Sequence, residues 1–205
     1  MNIAALLVSF GLLIMAVTVH EFSHGWMAYK LGDTTAKYSG RLTLNPLAHI
    51  DIFWTIILPL SLFISTGGQF VFGTAKPVPI NYGALKNPKR DIIWIGLSGP
   101  LANFIFALIL SIFNRLIPAS LIIGFILKEL ILINVVLGVF NLIPIPPLDG
   151  SRVLIGILPE KFAVRYAVIE RFGFIIIMAL LLLGALDRII WPIVNIISAW
   201  LGVTF

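Results

Sequence analysis

The chain contains no cysteine. That excludes disulfides and thiolate ligands, so any metal must be held by histidine, aspartate or glutamate. Charge is nearly as scarce: Asp, Glu, Lys and Arg make up 11% of the 205 residues, against 60% hydrophobic residues. With a mean hydropathy of +1.07, the chain reads as an integral membrane protein and not as a soluble domain. Residues 1–20, 52–75, 92–114, 116–127, 130–148, 172–186 and 189–205 lack all four charged types, and several of these runs approach the ~20 residues that cross a hydrocarbon core as helix. The first run has no basic segment ahead of it and keeps its apolar pattern as far as Leu31, which fits a mature helix better than a signal peptide. No internal repeat or low-complexity linker divides the chain, and 1–205 reads as a single domain.

What charge there is sits unevenly. The net charge of +5 is not a nucleic-acid footprint. Lys30, Lys37, Arg41, Lys76, Lys86, Lys89, Arg90, Arg152, Lys161, Arg165 and Arg171, eleven of the fourteen basic residues, fall in three inter-helix segments. Such clustering is expected of loops on the cytoplasmic side of a cell (inner or plasma) membrane. If 3–31 crosses inward and 92–114 outward, then 52–65 enters and leaves by one face, and it is short enough for a re-entrant or interfacial helix. On either side of it, "AKYSGRLTL" (36–44) and "FVFGTAKPVPI" (70–80) read as short extended segments, the second bounded by prolines that stop a helix. Residues 121–144 return inward, 172–186 leave again, and 189–201 form a last span or an interfacial helix. The expected fold is an all-α polytopic membrane protein of about five to six hydrophobic helices, one of them re-entrant, with small membrane-associated β elements.

Against this apolar background, "VTVHEFSHGW" (17–26) is the conspicuous stretch. His20 and His24 are four residues apart, so on a helix they stack one turn above each other, the spacing at which two imidazoles hold one metal ion. In an H-E-x-x-H arrangement the glutamate, here Glu21, is not a ligand but the general base acting on water. Alone, the pattern occurs by chance on many soluble helices. Here it falls about 25 Å along a helix that starts at Ile3, still within a hydrocarbon core ~30 Å thick, where an unpaired carboxylate costs several kcal/mol. Its position converts a weak motif into a specific one.

A catalytic zinc takes three protein ligands and keeps a fourth position open. Asp149 is the best third candidate. It stands in "PIPPLDG", where Pro144, Pro146 and Pro147 end a hydrophobic helix and Gly150 permits a tight turn. Read alone, the segment is an ordinary Asp-Gly turn. His49 and Asp51 of "NPLAHID" are the rivals, but an Asp before Ile52 reads as a helix cap and a His beside it as a partner for backbone. Within 92–114, Gly99 reads as a site of close helix packing. Asn103 is costly in a membrane helix unless bonded, and reads as a brace for the metal site or its loop.

Together "HEFSH" (20–24), "GRLTLNPLAHID" (40–51), "AKPVPIN" (75–81), "SGPLANF" (98–104) and "NLIPIPPLDG" (141–150) resemble the site-2 protease family of intramembrane zinc metalloproteases, in its compact prokaryotic form. The resemblance covers nearly the whole chain. It implies one zinc ion on His20, His24 and Asp149, Glu21 as catalytic base, and a site facing a cavity near the cytoplasmic side. It also implies that Asn141 contacts the substrate backbone or oxyanion; Asn103 is a second, looser candidate for the substrate site. Residues 36–44 and 70–80 would be the family's membrane-associated β elements. The partners implied are a transmembrane protein substrate and the lipid bilayer, and 1–205 leaves no room for the PDZ or CBS domains of some members. The expected activity is regulated intramembrane proteolysis, the hydrolysis of peptide bonds in or near transmembrane segments. Two other classes fit the composition. A non-catalytic scaffold gives no reason to keep Glu21 with both histidines and Asp149. A metal-ion transporter predicts a polar path through the bilayer, whereas here only Lys128 and Glu129 lie toward the opposite side.

Overall fold

The computed structural model describes residues 3–67, 73–116 and 122–203. Nine α-helices are found among them: α1 (Ile3–Lys30), α2 (Thr35–Tyr38), α3 (Leu58–Ser65), α4 (Pro88–Leu116), α5 (Ile122–Asn141), α6 (Asp149–Ile157), α7 (Glu160–Ala167), α8 (Gly173–Leu182) and α9 (Ala185–Trp200). Three of them contain segments long and apolar enough to cross a membrane: Leu7–Lys30, Pro88–Leu116 and Ile122–Asn141. A fourth span results if Glu160–Leu182 and Ala185–Trp200, which meet at a 77° bend, are taken together.

α4 is the hub, packed against α1, α5 and α6, while α5 also touches α1 and α9. The largest core joins Leu12 and Ala16 of α1, Ala107 and Leu110 of α4, Leu130, Ile131, Val135 and Val139 of α5, and Leu186, Ile190 and Val194 of α9. The α9 residues recur every four positions, so one stripe of that helix is buried. Gly184 before it has φ 63°, a left-handed turn that glycine adopts without penalty and that ends α8. The opposite faces of α1, α4 and α5 expose Leu13, Met15, Ile105, Ile109, Ile112 and Phe125, as helices with a lipid solvent do.

The stretch Ile52–Ser65 is apolar but short. It opens with a π-helical turn, Ile52–Ile57, capped by Asp51, whose Oδ1 accepts from the amides of Phe53 and Trp54. Fourteen residues rise about 21 Å as helix, well short of a ~30 Å core. That shortness, with the bend at Gly184, leaves three helices, or four spans with the bent pair, long and apolar enough to cross among the described residues.

The expected β elements are not formed among the described residues. Part of 36–44 is the helical turn α2, begun where Asp33 Oδ1 accepts from the Thr35 amide at 2.9 Å, an Asx-type turn. Of 70–80, residues 70–72 lie outside the described residues, and 73–81 run without strand pairing. The backbone of that stretch is satisfied by side chains and by single backbone contacts instead. Thr74 N–H donates to Trp54 O, Lys76 N–H to His49 O and Asn81 N–H to Asp33 Oδ2.

Candidate metal centre

His20 and His24 lie one turn apart on α1, and Asp149 is the first residue of α6. Two close approaches bring α6 to them. A Cβ at Gly150 would run into the Leu142 carbonyl, and one at Gly96 of α4 would lie 3.0 Å from the Asp149 carbonyl oxygen. Glycine at both places lets the turn after α5 fold tightly and lets α6 press onto α4. All three residues are buried, with 5%, 6% and 8% exposure.

Their ligand atoms converge. His20 Nε2 is 3.0 Å from His24 Nε2 and 3.0 Å from Asp149 Oδ2, and His24 Nε2 is 3.2 Å from Asp149 Oδ2. The tautomers follow from what surrounds them. Asn103 Nδ2 donates to Ala16 O at 3.1 Å and to Asn134 Oδ1 at 2.8 Å, and Asn134 Nδ2 donates to Leu130 O at 2.8 Å. Both backbone carbonyls only accept, so the Asn103 oxygen must face His20, whose Nδ1 lies 2.6 Å away and must carry the proton. In His24, Nδ1 donates to Ile95 O at 2.7 Å. Both neutral rings therefore aim an Nε2 lone pair at the carboxylate. Three electron-rich atoms so close need a cation between them. A proton shared between a ring nitrogen and the carboxylate would serve. A metal fits better. Tetrahedral zinc with bonds of about 2.0–2.1 Å spaces its donors about 3.3 Å apart, close to the edges seen here.

Space for an ion is also provided. A Cβ at Gly99 would lie 2.7 Å from Cε1 of both His20 and His24 and closer still to His24 Nε2. Only glycine leaves that side of the centre open, a reason for Gly99 more specific than the helix packing read from the sequence. These three are the residues able to form such a group among the described residues. Glu21 is not one of the converging ligands. It is half-buried, and its Oε2 accepts from the Val78 amide at 2.8 Å.

His49 and Asp51 lie elsewhere: His49 Nε2 donates to Thr43 O at 2.9 Å, and Asp51 caps the π-helical turn. Asn141 is half-buried at the end of α5, with Nδ2 donating to Leu137 O at 3.0 Å. Asn103 has no exposed surface, and its amide is spent on His20, Ala16 and Asn134. It can orient a ligand, but it has no polar atom left to offer a substrate. Asn134 was not singled out from the sequence, although an Asn in the middle of the charge-free run 130–148 is itself a sign of a buried polar contact.

The model described as Peptidase family M50 matches residues 8–119 and 118–184. The protein of Bacillus subtilis (strain 168) named "Putative zinc metalloprotease YwhC" is 34% identical over 192 residues, 89% of this chain and 84% of that one. Rip2 of Mycolicibacterium smegmatis, which carries the same description, is 32% identical over 177 residues, 85% of this chain and 66% of that one. "Zinc metalloprotease MJ0392" of Methanocaldococcus jannaschii is 30% identical over 155 residues, 76% of this chain and 35% of that one. No solved structure matches the chain.

Proposed function

Since the chain belongs to peptidase family M50, the site-2 protease family, we propose that it is a zinc-dependent endopeptidase that cuts membrane-protein substrates in or near their transmembrane segments. The observation that carries this reading is the convergence of His20 Nε2, His24 Nε2 and Asp149 Oδ2 at 3.0–3.2 Å, with Nδ1 of each imidazole committed elsewhere. These three hold the ion, one per chain. Zinc bound there would supply Lewis-acid activation of the scissile carbonyl and of water. Glu21 takes the proton of the attacking water and later passes it to the leaving amine. Asn103 and the Ile95 carbonyl keep the two imidazoles in their ligating tautomer, and Asn141 contacts the peptide or its oxyanion.

A helical substrate hides its carbonyls in i→i−4 bonds and must unwind before it is cut. Residues that weaken a helix, such as Gly, Pro, Asn and Ser, therefore favour cleavage nearby. The clustering of basic residues in three loops favours a multi-pass cell-membrane protein with its site toward the cytoplasm. Residues 1–205 would act as one catalytic domain.

The test is made on detergent-purified protein with a single-span test substrate. Glu21→Gln should keep about one zinc per chain and lose cleavage, whereas His20→Ala, His24→Ala and Asp149→Ala should lose the metal too. Zinc lost from His49→Ala but kept in Asp149→Ala would reverse the ligand assignment. Full cleavage by Glu21→Gln would end the protease reading.

A further inference from the structure

The segment from Thr74 to Asn81 has no regular structure, yet it is held from many sides. Thr55 Oγ1 donates to Thr74 O at 2.7 Å, and Thr74 N–H donates to Trp54 O at 3.1 Å. Lys76 N–H reaches His49 O at 3.0 Å, and Arg41 Nη2 donates to Lys76 O at 2.6 Å and Pro77 O at 3.2 Å. At the far end Asn81 N–H donates to Asp33 Oδ2 at 2.6 Å. In the middle, Val78 N–H donates to Glu21 Oε2 at 2.8 Å.

The sequence around that last bond is Pro77-Val78-Pro79. Proline has no amide hydrogen and fixes its own φ, and a following proline pushes Val78 toward an extended conformation. Val78 therefore carries the only N–H of three successive residues, and that N–H is aimed at Glu21. The side chain of Val78 is 6% exposed and lies against Gly25, one turn beyond Glu21 on α1, where an added Cβ would be 3.0 Å from Val78 Cγ1. Glu21 and Gly25 share one helix face, and glycine at 25 lets the segment close onto it.

We propose that Pro77-Val78-Pro79 is a backbone clamp that positions Glu21, with Arg41 as the residue that fixes the clamp. One carboxylate oxygen is tied to the Val78 amide, and the other, Oε1, is presented for proton transfer. A glutamate side chain has three rotatable bonds, and a proton acceptor misplaced by an ångström costs rate. Anchorage through Thr55, Trp54, His49, Arg41 and Asp33 makes the segment a fixed support and not a retractable plug. It also spends the Val78 amide within the protein, so that group is not available to pair with a substrate strand.

The inference rests on Glu21 being the base, and the experiment separates the two claims. Val78 is replaced by its α-hydroxy acid, which turns the amide into an ester and leaves the side chain intact. Expected is a fall in kcat of roughly tenfold or more, with KM within about twofold and zinc content at the wild-type value. Arg41→Ala should move kcat the same way, and Arg41→Lys, which keeps a cationic donor, should restore most of it. Independently of activity, amide exchange at Val78, followed by ¹⁵N-valine NMR, should be slow in the unmodified protein and roughly tenfold or more faster in Glu21→Ala. Fast exchange in the unmodified protein overturns the clamp without any variant having to fold. An unchanged kcat in the ester variant overturns it as well, and a raised KM with unchanged kcat would make the segment a substrate-binding edge instead. If Glu21→Gln still cleaves, the base reading fails; if Glu21→Gln is inactive while the ester variant keeps its kcat, only the clamp fails.

Discussion

One added methyl group at Gly99 tests the metal centre without removing a ligand. In Gly99→Ala the new Cβ would stand 2.7 Å from His20 Cε1 and His24 Cε1 and nearer still to His24 Nε2. Carbon atoms in contact settle about 3.5–4.0 Å apart, so both rings must retreat by about 1 Å. A metal site with bonds of about 2.0–2.1 Å is spoiled by errors beyond about 0.5 Å. The metal-free protein has an escape, because the obstructing atoms are ends of side chains that can rotate. Alanine also favours a helix over glycine by about 1 kcal/mol. Zinc affinity should therefore fall by about 100-fold or more, about 2.8 kcal/mol at ~1.4 kcal/mol per tenfold. The melting temperature of the metal-free protein should hold or rise. The affinity is read by competition with a chromophoric chelator on detergent-purified protein, and stability by thermal melts with and without chelator. Zinc binding within about threefold of the unsubstituted protein would refute the placement of the ion beside Gly99. Collapse of the metal-free melt would show that the methyl group disrupts helix packing in general.

Asn103→Ala removes the acceptor that sets the His20 tautomer and should weaken zinc binding about 10–100-fold; titration of the metal-free protein would show it, and an unchanged affinity would mean that the ring needs no such support. Asp33, which follows α1 outside the membrane-spanning segment, gives a pH signature. Burial pushes its carboxyl up, but the Thr35 hydroxyl and amide and the Asn81 amide outweigh this and hold it below its ordinary value. A depressed folded-state pKa means stabilisation that is complete above the unfolded value of about 3.9 and is lost as pH falls through the folded one. Asp33→Asn should thus lower the melting temperature at neutral pH, with the gap to the unsubstituted protein narrowing below about pH 4. A gap that stays constant from neutral to acid pH would rule out the carboxylate as its source.

How much of this could be read from the sequence depends on where each contact's information lies. The fourfold spacing of His20 and His24 sets one helix face by itself, and the prolines and glycine around Asp149 announce a turn, so the three residues that converge were all visible as candidates. The shortness of 52–65 and the Asp before Ile52 are likewise local. What could not be read is carried by long-range pairs. Segments 36–44 and 73–80 have the look of strands, and in the second Pro77 and Pro79 exclude helix while the residues between them tolerate extension. A strand, however, needs a neighbour for its amides and carbonyls, and here Glu21 and Asp33 accept from the amides of Val78 and Asn81 while Arg41 donates to the carbonyls of Lys76 and Pro77. The bend after α8 turns on the positive φ of Gly184, which a glycine in an apolar run permits but does not require. The tautomer of His20 depends on Asn103, Asn134 and two carbonyls drawn from three helices. In a chain so poor in charge, each such polar side chain has few possible partners, and membrane depth makes leaving it unpaired expensive. The same scarcity that hides the network in a one-dimensional reading therefore leaves it few alternatives once the helices pack.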